Sequence, residues 1–219
     1  MVYNREQLLS YLATCTNVGI FGGTFDPVHN GHMSALDAVA STLPLDAIVL
    51  MPARLPSFKQ AQKLADADER LHMCELALQE YEFHAPRCPV LLSSFELERE
   101  GVSYTVDTLS EIAHELPHLC LYFILGVDAA LMLDKWNASE TLAQLARFVV
   151  VDRPGCVMTE HEEMRLQVAG FSIERVRATT PDVSSSYIRA QLKEGFIPAE
   201  LLASSVSHYI ERKQLYTEK

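Results

Sequence analysis

The chain has 219 residues, 48% of them apolar and 21% charged, with a formal net charge of −11. This predicts a single domain over residues 1–219, with an accessory helix in 1–16 and a helical part in 183–219. The acidic balance argues against nucleic acid or an anionic membrane as partner, and the lack of a signal-peptide pattern or of a roughly 18–20-residue apolar run predicts a cytoplasmic protein.

Short apolar runs alternate with amphipathic stretches along the chain. Asn4 and Gln7 predict the cap of a first helix, which carries Leu12. Strands are predicted at 18–21, 47–51, 88–92, 119–125, 148–151 and 172–176, and helices from about 31 and at 68–79, 104–115 and 157–168. The alternation indicates an α/β fold with a Rossmann-like, doubly wound parallel sheet flanked by helices. The loops after Phe21, Met51 and Leu125 are predicted to meet at one ligand cleft.

The first of these loops combines three features of a phosphate site. Gly22 and Gly23 follow the strand, and a helix is predicted to begin near His32. Free backbone N–H groups and the helix dipole would therefore face an anion. His29 and His32 stand three residues apart, so both rings can face one side of the helix entrance. The pattern indicates chemistry on a nucleoside triphosphate, although it is neither GxGxxG nor GxxxxGK[ST].

The histidine pair also has plainer interpretations. With Asp26 nearby it could be a metal site, or it could be a set of polar residues at a helix start. A zinc site would need a third ligand at suitable spacing, and the sequence offers none.

Three serines near the other end of the chain precede a helical stretch and form a second candidate phosphate clamp. Ser184 and Ser185 lie at its start, and Arg189 stands about one turn further in. The alternative is an ordinary N-cap followed by a solvated arginine.

Residues 23–32 resemble the HxGH signature of nucleotidylyltransferases, and residues 183–189 are similar to that superfamily's ISSTxIR motif. Four further stretches, at 103–108, 123–128, 134–136 and 151–155, narrow the resemblance to the bacterial nicotinate-nucleotide adenylyltransferases. HxGH alone indicates the reaction type, whereas the SYTxDT and KW stretches are more specific. The resemblance leaves only the first helix unmatched.

The resemblance implies that ATP and nicotinate mononucleotide react to give nicotinate adenine dinucleotide and pyrophosphate. It implies catalytic contacts to phosphate from His29, His32 and Arg189. The residues implied in ATP binding are Gly22, Gly23, Thr24, Phe25, Lys59, Gly126, Asp128, Ser184, Ser185 and Arg189. Those implied in binding the mononucleotide are Tyr104, Thr105 and Trp136, the last by stacking on the pyridine ring. Because the sequence has no dense carboxylate cluster, Mg²⁺ is expected to arrive on ATP.

One loop departs from the family pattern, which often has a histidine just before the basic residue. Here Phe58 precedes Lys59, so a phosphate contact from this loop would come from Lys59 or Arg54. Another acceptor, such as nicotinamide mononucleotide or phosphopantetheine, stays open, as does a nucleotide-binding regulator without turnover. A homo-oligomer is compatible with the sequence, which does not indicate the oligomeric state.

Overall fold

The structure, a computed structural model, describes residues 1–56, 64–84, 88–153, 155–179 and 183–217. These residues form one seven-stranded sheet in which every neighbouring pair is parallel. In chain order the strands are β1 Val2–Tyr3, β2 Asn17–Gly23, β3 Ala47–Pro52, β4 Val90–Ser93, β5 Cys120–Gly126, β6 Arg147–Asp152 and β7 Ile173–Arg177. The predicted doubly wound α/β fold is confirmed.

Helices cover both faces of this sheet. Within the described ranges the α-helices are α1 Arg5–Leu12, α2 Asn30–Thr42, α3 Ala67–Glu80, α4 Thr105–Glu115, α5 Val127–Ala130, α6 Ser139–Leu145, α7 Glu160–Val168, α8 Ser185–Lys193 and α9 Ser204–Lys213. One apolar core lies under α2, α3, α8 and α9, and a second lies under α1, α4, α5, α6 and α7. Of the helices described, none has both the length and the apolar character to cross a membrane.

The strand order β1-β4-β3-β2-β5-β6-β7 fixes where a ligand site can form. The chain builds outward from β2 through β3 to β4, and then returns to place β5 on the other side of β2. This reversal is a topological switch point, where the loops leaving the carboxyl ends of β2 and β5 diverge and open a crevice.

The N-terminal segment is integrated into the fold. Asn4 caps α1 in a capping box with Gln7, as predicted. Leu8 and Leu12 are fully buried in the second core, and β1, which the sequence analysis missed, adds a strand at the edge of the sheet beside β4. The first helix therefore covers the sheet next to its edge.

Several predicted boundaries differ from the structure by one to three residues, and two of the differences have a clear cause. The strand predicted at 18–21 continues through Gly23, because Gly22 and Gly23 still pair with β3. The helix predicted at 157–168 begins only at Glu160, because the Thr159 side chain accepts the N–H of Glu162 and caps it there.

Candidate active site

The carboxyl end of β2 approaches two aromatic rings closely. A Cβ on Gly22 would lie 3.1 Å from the ring of Phe123, and one on Gly23 would lie 2.7 Å from the ring of Phe25. A side chain at position 23 would force the Phe25 ring to move, whereas one at position 22 would displace the Phe123 ring by only a few tenths of an ångström. Phe25 is buried and has a left-handed φ of 48°, which L side chains rarely adopt. The buried ring thus holds the loop after β2 in one shape.

The two histidines stand at the start of α2. His29 is the N-cap residue, and its backbone N–H donates to Nδ1 of His32 at 3.2 Å. Their rings stack with centroids 3.6 Å apart, and the ring of Phe25 meets that of His32 edge-on at 5.0 Å. Nδ1 of His29 is buried and has no hydrogen-bond partner in the described part of the chain. That nitrogen faces the first turn of α2, since it would lie 3.1 Å from a Cβ on Gly31.

Burial sets the protonation state of His29. Desolvation, reinforced by the charge of Arg153, lowers the pKa of His29 to about 3. The ring is therefore neutral at physiological pH and carries one N–H. It suits donation to a phosphate oxygen better than service as a cationic partner.

The serine motif lies beside the loop after β2. Ser184 caps α8 by accepting the N–H of Tyr187 at 3.1 Å. Ser185 Oγ donates to the carbonyl oxygen of Pro27 at 2.9 Å, and Arg189 Nη1 donates to that of Asp26 at 2.7 Å. The motifs of residues 23–32 and 183–189 are thus joined directly by hydrogen bonds.

Two adjoining cavities open at the switch point. Both are lined by Gly22, Gly23, Phe123 and Trp136. The first cavity brings together ten of the predicted residues, namely Gly22, Gly23, Phe25, His29, His32, Gly126, Asp128, Trp136, Ser184 and Ser185. The second brings together Gly22, Gly23, Thr24, Tyr104, Thr105 and Trp136. The Trp136 ring meets the Phe123 ring edge-on at 5.9 Å, between the two cavities.

Two of the predicted cations, Arg189 and Arg54, are not among the described residues that line the two cavities. The Arg189 guanidinium lies behind the loop after β2 and also donates to Ser186 Oγ at 3.2 Å. Arg54 Nη1 donates to the carbonyl oxygen of Leu97 at 2.7 Å, toward the segment after β4. Lys59 lies outside the described residues.

Sequence reasoning missed Arg153, although it had quoted the stretch that contains it. This side chain lines the first cavity, pairs with Asp128 at 2.7 Å and donates to the carbonyl oxygen of Val183 at 3.0 Å. It therefore connects the loop after β6 to the start of the serine motif. Its place two residues after the strand predicted at 148–151 was a usable signal.

Glu96, also missed, lines the second cavity. It is 7% exposed, and its Oε1 accepts a hydrogen bond from Thr108 Oγ1 at 2.8 Å. Burial raises the pKa of this carboxyl group. Nothing in its local sequence distinguishes it from a surface glutamate.

Arg70 of α3 is the third functional residue that sequence reasoning missed. It is 1% exposed, and its guanidinium donates to the carbonyl oxygens of Thr24 at 2.8 Å, Ala53 at 2.6 Å and Arg54 at 2.8 Å. One buried cation thus ties together the loops after β2 and β3. A buried arginine and a solvated one look alike in the sequence of a helix, so no local signal was available.

A glycine-ended strand and a histidine-bearing helix start at the switch point of a doubly wound sheet form a site that suits the phosphates of a nucleotide. The sequence profile of the family described as cytidylyltransferase-like matches residues 20–191. In the parts of the chain that the structure describes, no three His, Cys, Asp or Glu side chains converge as metal ligands.

Individual relatives confirm the narrower resemblance to nicotinate-nucleotide adenylyltransferases. A Streptococcus pyogenes protein described as a probable nicotinate-nucleotide adenylyltransferase is 37% identical over 91% of this chain and 88% of its own. A Geobacillus kaustophilus protein of the same description is 38% identical over 91% and 85%. The chain belongs to the nicotinate-nucleotide adenylyltransferase family.

A solved structure supports the fold. The nicotinic acid mononucleotide adenylyltransferase of Plasmodium falciparum, complexed with NaAD, superposes with a TM-score of 0.78 at 20% identity. The match covers 92% of this chain and 97% of that one.

Proposed function

We propose that this chain transfers the adenylyl group of ATP to nicotinate mononucleotide, forming nicotinate adenine dinucleotide and pyrophosphate in NAD biosynthesis. The observation that carries the proposal is the pair of cavities that share Gly22, Gly23 and Trp136. Reactants in the two cavities would both contact these glycines. The NaAD bound to the Plasmodium relative is the product of this reaction and supports the assignment.

ATP would occupy the first cavity. Neutral His29 and its neighbour His32 would donate to the α-phosphate, together with the N–H groups at the start of α2. Ser184 and Ser185 at the start of α8 would bind the β- and γ-phosphates. Arg189 lies one helical turn further along α8 and donates to the Asp26 carbonyl oxygen, so its guanidinium would turn toward the cavity to stabilise the leaving pyrophosphate.

Nicotinate mononucleotide would occupy the second cavity. Trp136 would stack on the pyridine ring, and Tyr104 and Thr105 would lie near its carboxylate at the start of α4. A helix N-terminus favours an anion, so this placement favours the acid over the amide.

The chemical step needs positioning and charge stabilisation rather than a strong base. The second pKa of a phosphate monoester is about 6, so the acceptor phosphate is largely a dianion at neutral pH. One of its oxygens attacks the α-phosphorus of ATP, and the bond from that phosphorus to the bridging oxygen of the β-phosphate breaks. Pyrophosphate leaves with that electron pair. A neutral His29 is consistent with this requirement.

Mg²⁺ would enter as part of the substrate. The described side chains offer no three-ligand site, so the ion would be held mainly by ATP oxygens and water. Small anionic molecules are the partners that we propose for this acidic chain. Its cytoplasmic location stays a prediction from the sequence, and a homo-oligomer stays compatible with it.

Pyrophosphate release tests the proposal. The purified protein would be given ATP and Mg²⁺ with nicotinate mononucleotide, nicotinamide mononucleotide or phosphopantetheine in turn, and a reaction without acceptor as control. We expect release with nicotinate mononucleotide, at least about tenfold faster than with the amide. Faster release with another acceptor would reassign the substrate, and no release with any acceptor would favour the non-catalytic regulator.

A further inference from the structure

We infer that Tyr216, in the tail that follows α9, is a positioning residue for ATP binding. Its hydroxyl fixes the buried carboxylate of Asp26 behind the loop after β2, and through Asp26 it fixes Arg189 and the start of α2. The inference rests on the proposed function, because it assigns to the tail a role at the triphosphate end of the same site.

The two carboxylate oxygens of Asp26 have different partners. Asp26 is fully buried, and its Oδ1 accepts from Tyr216 Oη at 2.6 Å and from the N–H of Ala65 at 3.1 Å. Its Oδ2 lies 3.8 Å from Arg189 Nη1 and has no hydrogen-bond partner among the residues described. Neutral donors thus bind one oxygen, and the other oxygen faces the arginine.

The backbone around Asp26 transmits this contact to both phosphate-binding motifs. The Asp26 carbonyl oxygen accepts from Arg189, and the next carbonyl, that of Pro27, accepts from Ser185. His29 follows two residues later as the N-cap of α2. A displaced Asp26 would therefore move groups on both sides of the bound triphosphate.

The end of α9 is built to deliver Tyr216 to this point. Gln214 adopts a left-handed φ of 51°, and the N–H of Leu215 donates back to the carbonyl oxygen of Ile210 at 3.1 Å, as in a Schellman turn. Tyr216 itself has a left-handed φ of 66°. Such conformations in non-glycine residues persist only where the surroundings hold them, and they cluster at functional sites.

The Tyr216 hydroxyl stays protonated and therefore remains a hydrogen-bond donor. Burial and the adjacent Asp26 carboxylate raise the pKa of Tyr216, while the positive charges of Arg189 and Arg70 oppose that shift. The group therefore keeps its proton over the working range of pH, and the hydrogen bond is not a pH switch.

The test is Tyr216→Phe, with Tyr209→Phe as the matched control. Both substitutions remove a hydroxyl that donates to a carboxylate, but Tyr209 contacts Glu69 between α9 and α3. We expect Tyr216→Phe to raise the KM for ATP about tenfold and to leave the KM for the acceptor unchanged, since a hydrogen bond to a charged group has been lost. Tyr209→Phe should lower Tm without changing either KM.

Two kinetic results would overturn the inference. One is an unchanged KM for ATP in Tyr216→Phe, and the other is an equal change in both Michaelis constants, as a purely structural role would produce. Calorimetric titration with a non-hydrolysable ATP analogue separates this test from that of the proposed function. A wild-type protein that binds the analogue but releases no pyrophosphate would contradict the proposed function, and the ratio of affinities would still decide the role of Tyr216. A wild-type protein that does not bind the analogue would overturn both.

Discussion

His32 is the residue whose side chain we expect to act most directly on the α-phosphate. It lies at the start of α2, stacked on His29 and exposed to the first cavity. We predict that His32→Ala lowers kcat by roughly 10²–10³-fold, the usual effect of losing one donor to a transition state. Steady-state kinetics at saturating substrates measures this. His72→Ala on α3, outside both cavities, is the control, and near-normal turnover in His32→Ala would remove the residue from the mechanism.

The buried, neutral state of His29 predicts a stability effect. Its pKa is about 3 in the folded protein, against an ordinary value of 6.5, so between these pH values only the unfolded chain binds the proton. Stability therefore falls as pH falls through that window, by about 1.4 kcal/mol for each pH unit. We predict a smaller decrease in Tm between pH 7 and pH 4.5 for His29→Asn, which keeps a good N-cap residue, than for the wild type. Equal decreases in thermal melts at the two pH values would show that His29 is not held neutral.

Trp136 lines both cavities, and the proposed function has its ring stack on the acceptor. Stacking of a base on an aromatic side chain contributes about 1–3 kcal/mol. We predict that Trp136→Ala raises the KM for nicotinate mononucleotide roughly tenfold to a hundredfold, and that Trp136→Phe, which retains a ring, recovers part of the loss. An unchanged KM in the alanine variant would make Trp136 a packing residue for Phe123.

At the scale of elements, the cleft depends on loops that a buried cation holds in place. Arg70 donates to carbonyl oxygens in the loops after both β2 and β3, and its Nε donates to that of Ala65 at 3.1 Å. We predict that Arg70→Met lowers the free energy of unfolding by about 3–5 kcal/mol, because buried carbonyls lose charged donors. Equilibrium urea unfolding would measure it, with the exposed Arg177→Met as control. A loss below about 1 kcal/mol would show that these loops hold their shape without Arg70.

The helices contribute their N-termini to the cleft. Those of α2, α4 and α8 begin at Asn30, Thr105 and Ser185, beside the two cavities. Helix N-termini present unpaired N–H groups and partial positive charge. An acidic chain with a net charge of −11 can therefore bind two anionic nucleotides through a few focused donors.

At the scale of the whole molecule, the sequence was most informative where the pattern is local. Asn4 with Gln7 and the apolar run 47–51 are local signals, and the structure contains α1 and β3 there. Likewise, each of the motifs at 23–32 and 183–189 follows a strand or caps a helix, and both lie at the same crevice. The assignment of roles within that crevice stays a prediction.

What the sequence could not predict are contacts between distant parts of the chain. Asp26 and Tyr216 are 190 positions apart, and Thr24 and Arg70 are 46 apart. The residues next to Tyr216 and Arg70 in the sequence do not show that these side chains are buried. Their partners depend on how α3 and α9 pack on the sheet. Only the tertiary structure brings such residues next to their partners.

The most direct measurement follows the α-phosphate of ATP through one turnover. With ATP labelled at the α-phosphate, Mg²⁺ and nicotinate mononucleotide, we predict that the label appears in nicotinate adenine dinucleotide and that the pyrophosphate stays unlabelled. ATP labelled at the γ-phosphate should give the opposite distribution. Label from the α-phosphate in free AMP or in phosphate, with none in the dinucleotide, would contradict adenylyl transfer by this chain.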